Sequence, residues 1–125
     1  MKIHLYKGEY GNEKIKKEWF KMDAIDVYKI VLKGYIIKTF PNGFWQQPEA
    51  KQNAIKCTRF LIEEMLKYDN EMIKEKNSKK IFNENKLSWM LNACFNGSPY
   101  EAINTAYPNK FKKSDFVGYI NCHRI

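Results

Sequence analysis

Along most of this chain, apolar positions recur at three- and four-residue steps, the period of amphipathic helices. The clearest stretch runs from Lys86 to Phe116. Leu87, Met90, Leu91, Cys94 and Phe95 stand at i, i+3, i+4, i+7 and i+8, which predicts a helix over 87–95. Asn96-Gly97 interrupts it, with Gly supplying the left-handed conformation that a helix end needs. Ser98-Pro99-Tyr100-Glu101 then starts a helix over 98–107. Ser is its N-cap, Pro its first helical residue, and Glu the far half of a capping box. Two short helices joined by so tight a turn lie at an angle, as in helix-turn-helix-like modules.

The longest helix is predicted over about 48–68, opened by Pro48. Ala50, Ala54, Cys57, Leu61, Met65 and Tyr68 form its stripe, which Ile62 and Leu66 widen. Short helices follow at about 70–76 and about 78–84, the second with Ser78 as a cap. Upstream, Asp23 caps a helix lined by Val27, Ile30 and Val31, and Gly34 stands at its end. Between these helices, Tyr35 to Trp45 combines β-branched and aromatic residues with a Pro41-Asn42-Gly43 turn. That combination predicts an extended aromatic strap over the helical core, with stacking on bases as the alternative. Lys2 to Tyr6 alternates like a short strand, and Asn12 to Phe20 has the look of a helix. The expected fold is mainly α. One long helix (about 48–68) is packed by several short ones, including the pair 87–95 and 98–107, with a short N-terminal extended segment. No repeat or linker divides the chain. It is read as a single domain, 1–125, with residues 1–34 preceding a helical core at 35–116.

Composition narrows the class. Hydrophobic residues make up 44% of the 125 residues and aromatics 15%, which excludes a disordered chain. No apolar run is long enough to span a membrane, and the first residues lack a secretory pattern, so a cytoplasmic protein is expected. The three cysteines, Cys57, Cys94 and Cys122, are widely spaced. They argue against a disulfide framework or a structural zinc site, and Cys57 and Cys94 fall on apolar helix faces.

The net charge of +8 favours a polyanionic partner, although Lys and Asn enrichment is also what an AT-rich genome imposes on a surface. Excess charge sits at both ends: nine cations against five anions in residues 1–40, parity in 41–70, and nine against five again in 71–125. Arg occurs only at 59 and 124. Lys acts as a hydrated point charge where Arg would grip phosphate or guanine with its fork. Nucleic-acid contact by this chain should therefore be electrostatic, with little base reading.

Catalysis finds little support. The two histidines, His4 and His123, lie near the termini. A Cys122-His123 pair lacks a third orienting group. Glu49-x-Lys51 and Glu84-x-Lys86 resemble the acid-x-Lys element of metal-dependent nucleases but fall in predicted helices. No phosphate-binding, dinucleotide or metalloprotease motif is present. A non-enzymatic protein without metal or cofactor is expected. If 98–107 is a recognition helix, Tyr100, Glu101, Asn104 and Thr105 face outward. The nucleic-acid-binding candidates are then Asn104 and Thr105, with Lys74, Lys79, Lys80, Lys110, Lys112 and Lys113 on phosphates. A helical pair that simply closes the core is the competing reading.

Several blocks carry a family resemblance: Phe40-Pro41-x-Gly43-Phe44-Trp45, Leu61-Ile62-Glu63-Glu64, Asn85-x-Leu87-x-x-Met90-Leu91-Asn92, and above all Ser98-Pro99-Tyr100-Glu101-Ala102-Ile103-x-x-Ala106-Tyr107-Pro108-x-Lys110-Phe111-Lys112. Over about 35–116 the chain resembles an uncharacterised family of small proteins from low-GC Gram-positive bacteria and their phages. The resemblance implies a helical domain of unknown function, similar in rhythm to small DNA-binding helical repeats found near homing nucleases, and it transfers no catalytic residue. Trp89 stands where relatives carry what looks like a small residue, and Lys113-Ser114-Asp115-Phe116 where they often carry Pro-Trp-Glu-Phe. Two functions are expected from all this. One is a small basic nucleic-acid-binding or regulatory protein. The other is a phage-type accessory or anti-defence protein that binds a host protein or a small anionic nucleotide.

Overall fold

A computed structural model describes residues 20–116 of the protein. The strand expected at Lys2–Tyr6, most of the helix expected at Asn12–Phe20, and His4, Cys122 and His123 lie outside the described residues.

Between Ala24 and Ala106 of the described residues, six α-helices follow one another: α1 (Ala24–Lys33), α2 (Ala50–Arg59), α3 (Asn70–Lys76), α4 (Lys79–Glu84), α5 (Ser88–Phe95) and α6 (Pro99–Ala106). No strand occurs among the described residues. α2 is the central rod, with α1, α5 and α6 packed on it, and buried residues from Ala24 to Phe116 form one continuous cluster.

Local sequence explains most of the boundaries. The Asp23 carboxylate accepts from the Ile25 N–H at 3.1 Å and opens α1. Gly34, at φ 68°, closes α1, its N–H donating to the Ile30 carbonyl. Asp69 caps α3 by accepting from the Met72 N–H at 2.8 Å. Ser78 stands at the N-cap of α4, but its side chain makes no capping bond there.

The long helix departs from expectation in one respect. It begins at Ala50, two residues after Pro48, and at Phe60 changes to π-helical turns through Met65. The Leu66 N–H accordingly reaches back five residues to the Leu61 carbonyl, at 2.9 Å. This stretch contains neither Gly nor Pro, so nothing in its composition announces the wider turns. Leu61 and Ile62, adjacent in the chain, are both buried there. Lys67, at φ 54°, ends the run, and the Tyr68 N–H donates to the Ile62 carbonyl.

The strap at 35–45 lies over the core, as a series of bends and turns instead of extended strand. The Phe44 N–H donates to the Pro41 carbonyl at 3.0 Å, and Gly43 takes φ 83°. Phe40, Phe44 and Trp45 are buried and pack on one another at centroid distances of 4.8–5.2 Å. Each such pair contributes about 0.5–1.5 kcal/mol beyond area burial. Of the four large aromatics in the strap, only Tyr35 is exposed, so base stacking by the other three is excluded. The strap connects to the helices through Tyr28 of α1. Its ring lies 5.9 Å from Phe40, and its hydroxyl donates to the Asn85 carbonyl at 2.7 Å, beyond the end of α4.

The tight pair near the C-terminus forms as two separate helices. Asn96 and Gly97 both adopt left-handed backbone, φ 54° and 74°, and the Gly97 N–H returns to the Leu91 carbonyl. The conformation assigned to Gly alone therefore begins one residue earlier. Ser98 Oγ accepts from the Glu101 N–H at 3.1 Å. Only this half of the capping box forms, because the Ser98 N–H already donates to the Phe95 carbonyl in the turn.

Two stability measurements test this description. Gly97→Val should destabilise the protein by at least ~1 kcal/mol in urea unfolding. The left-handed φ disfavours a β-branched residue, and a Cβ would sit 3.1 Å from Asn92 Oδ1. Tyr28→Phe should cost about 1–3 kcal/mol, because it strips the Asn85 carbonyl of its donor while leaving the packing intact.

Candidate anion-binding cleft

The turn between α4 and α5 borders two cavities. Asn85 is anchored twice: its carbonyl accepts from Tyr28, and its side-chain amide donates to the Ile81 carbonyl at 2.7 Å. The Leu87 N–H donates to the Phe82 carbonyl at 2.8 Å, and Lys86 between them takes a left-handed φ of 67°. This fixed turn sets Lys86 beside the strap residues Lys38, Thr39 and Phe40. A cavity of about 460 Å³ opens among them, completed by Asn83, Ser88, Trp89 and Asn92. A neighbouring cavity of about 380 Å³ shares Asn83, Ser88 and Asn92 and adds Lys79, Lys80 and Leu91. The two adjoin along these three shared residues and are taken together as a cleft. Lys38, Lys79, Lys80 and Lys86 are all exposed, and no carboxylate is among the described lining residues. Glu84 approaches Lys80 only to 4.0 Å, with both side chains more than half exposed, a weak pairing.

The walls are polar and partly aromatic. Asn83, Ser88 and Asn92 make no side-chain hydrogen bond to another described residue. Phe40 belongs to the buried aromatic cluster, so this wall of the cleft is anchored in the core. Trp89 is 42% exposed, in contrast to Trp45, which is buried.

The lysines expected to bind phosphate are not all gathered here. Lys79 and Lys80 line the cleft. Lys74 pairs with Glu71 at 3.4 Å within α3. Lys110 lies 5.5 Å over the Tyr107 ring, and Lys113 5.8 Å over Tyr100. The Lys112 N–H donates to Asp115 at 2.8 Å, opening a 3₁₀ turn at Lys113–Asp115. Asn104 and Thr105 are half-buried on α6, which turns Ala102, Ile103 and Ala106 into the core. The basic, aromatic segment after α6 folds back on that helix. Phe111 and Phe116 are buried, and Phe116 meets Tyr100 edge-on at 5.6 Å. The Tyr100 side of the expected recognition helix is therefore covered by its own chain. Lys38 and Lys86 escaped the sequence reading. Each is a lone lysine in its segment, and only the strap's return over the α4–α5 turn unites them.

Other candidate chemistry disperses. Lys51 donates to the Cys94 carbonyl at 2.7 Å and lies 4.9 Å over Phe95, at the C-terminal end of α5. Cys57 is buried with its thiol directed at the Ala24 carbonyl, and burial pushes its pKa up; Cys94 is shifted upward for the same reason. Among the described residues, no group of three or more His, Cys, Asp or Glu could hold a metal ion. No helix among them is long and apolar enough to cross a membrane.

Residues 24–112 match the family described as "Protein of unknown function (DUF4046)", and the chain belongs to that family. The match takes in all six helices, the strap and every lysine of the cleft. No curated protein and no solved structure matches the chain.

Near Lys110, the Tyr107 hydroxyl donates to Glu63, which also accepts from Arg59 at 3.2 Å. These bonds, Tyr107's foremost, hold the Glu63 carboxyl below the usual carboxylate range. Its folded-state pKa is thus depressed, so its contribution is present above the unfolded value and lost as pH falls through the folded one. Glu63→Gln should flatten the acid limb of a stability–pH profile measured by urea unfolding. The difference should be small, because Glu63 and Arg59 are about half exposed.

Proposed function

We propose that this protein is a small non-enzymatic nucleic-acid-binding protein, and that its principal contact surface is the cleft between the strap and the α4–α5 turn. One observation carries the reading: Lys38, Lys79, Lys80 and Lys86 line two adjoining cavities, and no carboxylate is among the described residues that line them. Like charges brought together in this way repel one another, and a phosphate chain relieves that repulsion while releasing its own counterions. The cations are lysines without arginine. They suit backbone contact, with the asparagines and Ser88 adding neutral hydrogen bonds. Lys110, Lys112 and Lys113 form a second basic region. Two of them already lie over tyrosine rings, and the third caps a turn through its backbone. They extend the positive field.

The size of the cleft supports a second reading, capture of a small anionic nucleotide. A cavity of about 460 Å³ falls in the usual small-ligand range of roughly 300–1,000 Å³.

Titration against duplex DNA at several salt concentrations tests the proposal. The apparent constant should fall with salt in a log–log plot by roughly 0.9 per phosphate neutralised. Replacing Lys79, Lys80 and Lys86 together with Gln should lower the slope by roughly 0.9 per lysine, while unfolding midpoints stay near the wild-type value. A flat salt response of the unsubstituted protein with both duplex and single-stranded DNA would refute nucleic-acid binding.

A further inference from the structure

Trp89 is the one feature of the cleft that phosphate binding leaves without a purpose. The protein buries Phe40, Phe44, Trp45, Phe82 and Phe95, yet leaves this indole 42% exposed between cationic side chains. An exposed tryptophan in a concave, polar-rimmed site marks a contact surface. Building on the nucleic-acid reading, we propose that Trp89 stacks an unpaired base, so that the cleft prefers a single strand to a duplex.

The arrangement suits a nucleotide unit. Ser88, Trp89 and Asn92 occupy the cleft-facing side of α5, while Met90, Leu91 and Phe95 of the same helix are buried. The indole is therefore held by a helix whose opposite face is fixed in the core. Lys38 and Lys86 line the cavity that contains Trp89, and Lys79 and Lys80 line the adjoining one. A strand crossing both cavities meets lysines on its phosphates at either end. One base between them lies on the indole face, within reach of the Asn83 and Asn92 amides. Each amide offers both donor and acceptor, so it can bond any base edge without selecting one. In a duplex, by contrast, base faces are already stacked on neighbours and closed to Trp89.

The test compares a short fluorescently labelled poly(dA) strand, an abasic strand of equal length, and duplex DNA. Each is titrated with wild-type protein, Trp89→Ala and Trp89→Phe. Trp89→Ala should bind poly(dA) about 5- to 150-fold more weakly, the range of one lost base–aromatic stack, with an unchanged salt slope. Its duplex and abasic binding should match the wild type, and Trp89→Phe should retain most of the poly(dA) affinity. Equal binding of poly(dA) by wild type and Trp89→Ala would overturn the stacking proposal. So would wild-type affinity for the abasic strand equal to that for poly(dA). In either case a steep salt dependence would leave the lysine cleft standing. Free adenosine monophosphate bound as tightly as poly(dA) would overturn the strand and make a mononucleotide the ligand. Failure of every polyanion to bind would remove both proposals together.

Discussion

The phenol of Tyr28 is fully buried in α1, and a hydroxyl removed from water needs an acceptor inside the protein. It finds the Asn85 carbonyl, a backbone group just past α4 that helix formation leaves unpaired. The same ring stacks on Phe40, which gathers Phe44 and Trp45 around it. One side chain thus ties the first helix, the aromatic strap and the α4–α5 turn together. Burial pushes its pKa far above the usual phenol value, so it remains a donor across the physiological range. The cleft inherits its shape from this junction, since one wall comes from the strap and another from the anchored turn.

Helix identity was legible wherever backbone chemistry is local. Asp23, Gly34 and Ser98 each announce a terminus and each performs that role, whereas Ser78 stands at the N-cap of α4 without making a capping bond. Local rules failed where two demands met on one group. The Ser98 N–H could not serve both the turn and the Glu101 side chain, and the turn holds it. The π-helical segment of the long helix was hidden for another reason. The π-helical register buries Leu61 and Ile62 side by side, and the spacing of apolar residues along the chain fits an ordinary α-helix equally well.

The site was less legible than the fold. Lys79 and Lys80 stood out as a pair, whereas Lys38 and Lys86 lie in separate segments with no shared motif. Their meeting is a tertiary fact, created by an aromatic strap that returns across the helices. Proximity in sequence was the whole signal after α6. There, Lys110 and Lys113 read as a phosphate-binding run, and in the structure each is exposed and lies over a tyrosine ring of the preceding segment. A lysine cluster in sequence and a lysine cluster in space are different objects.

Two features of the cleft run against the protein's own stability. Gathering cations with no carboxylate among the described lining residues adds self-repulsion, and leaving an indole partly in water forgoes the burial that Trp45 obtains. Neither follows from any need of the fold: Trp89 could be shorter without opening the core, and acidic residues could sit opposite the lysines. Sites where local rules are broken without structural compensation are where function is expected to reside. A phosphate chain carrying unpaired bases answers both departures at once, by neutralising the lysines and covering the indole, whereas a simple inorganic anion answers only the first.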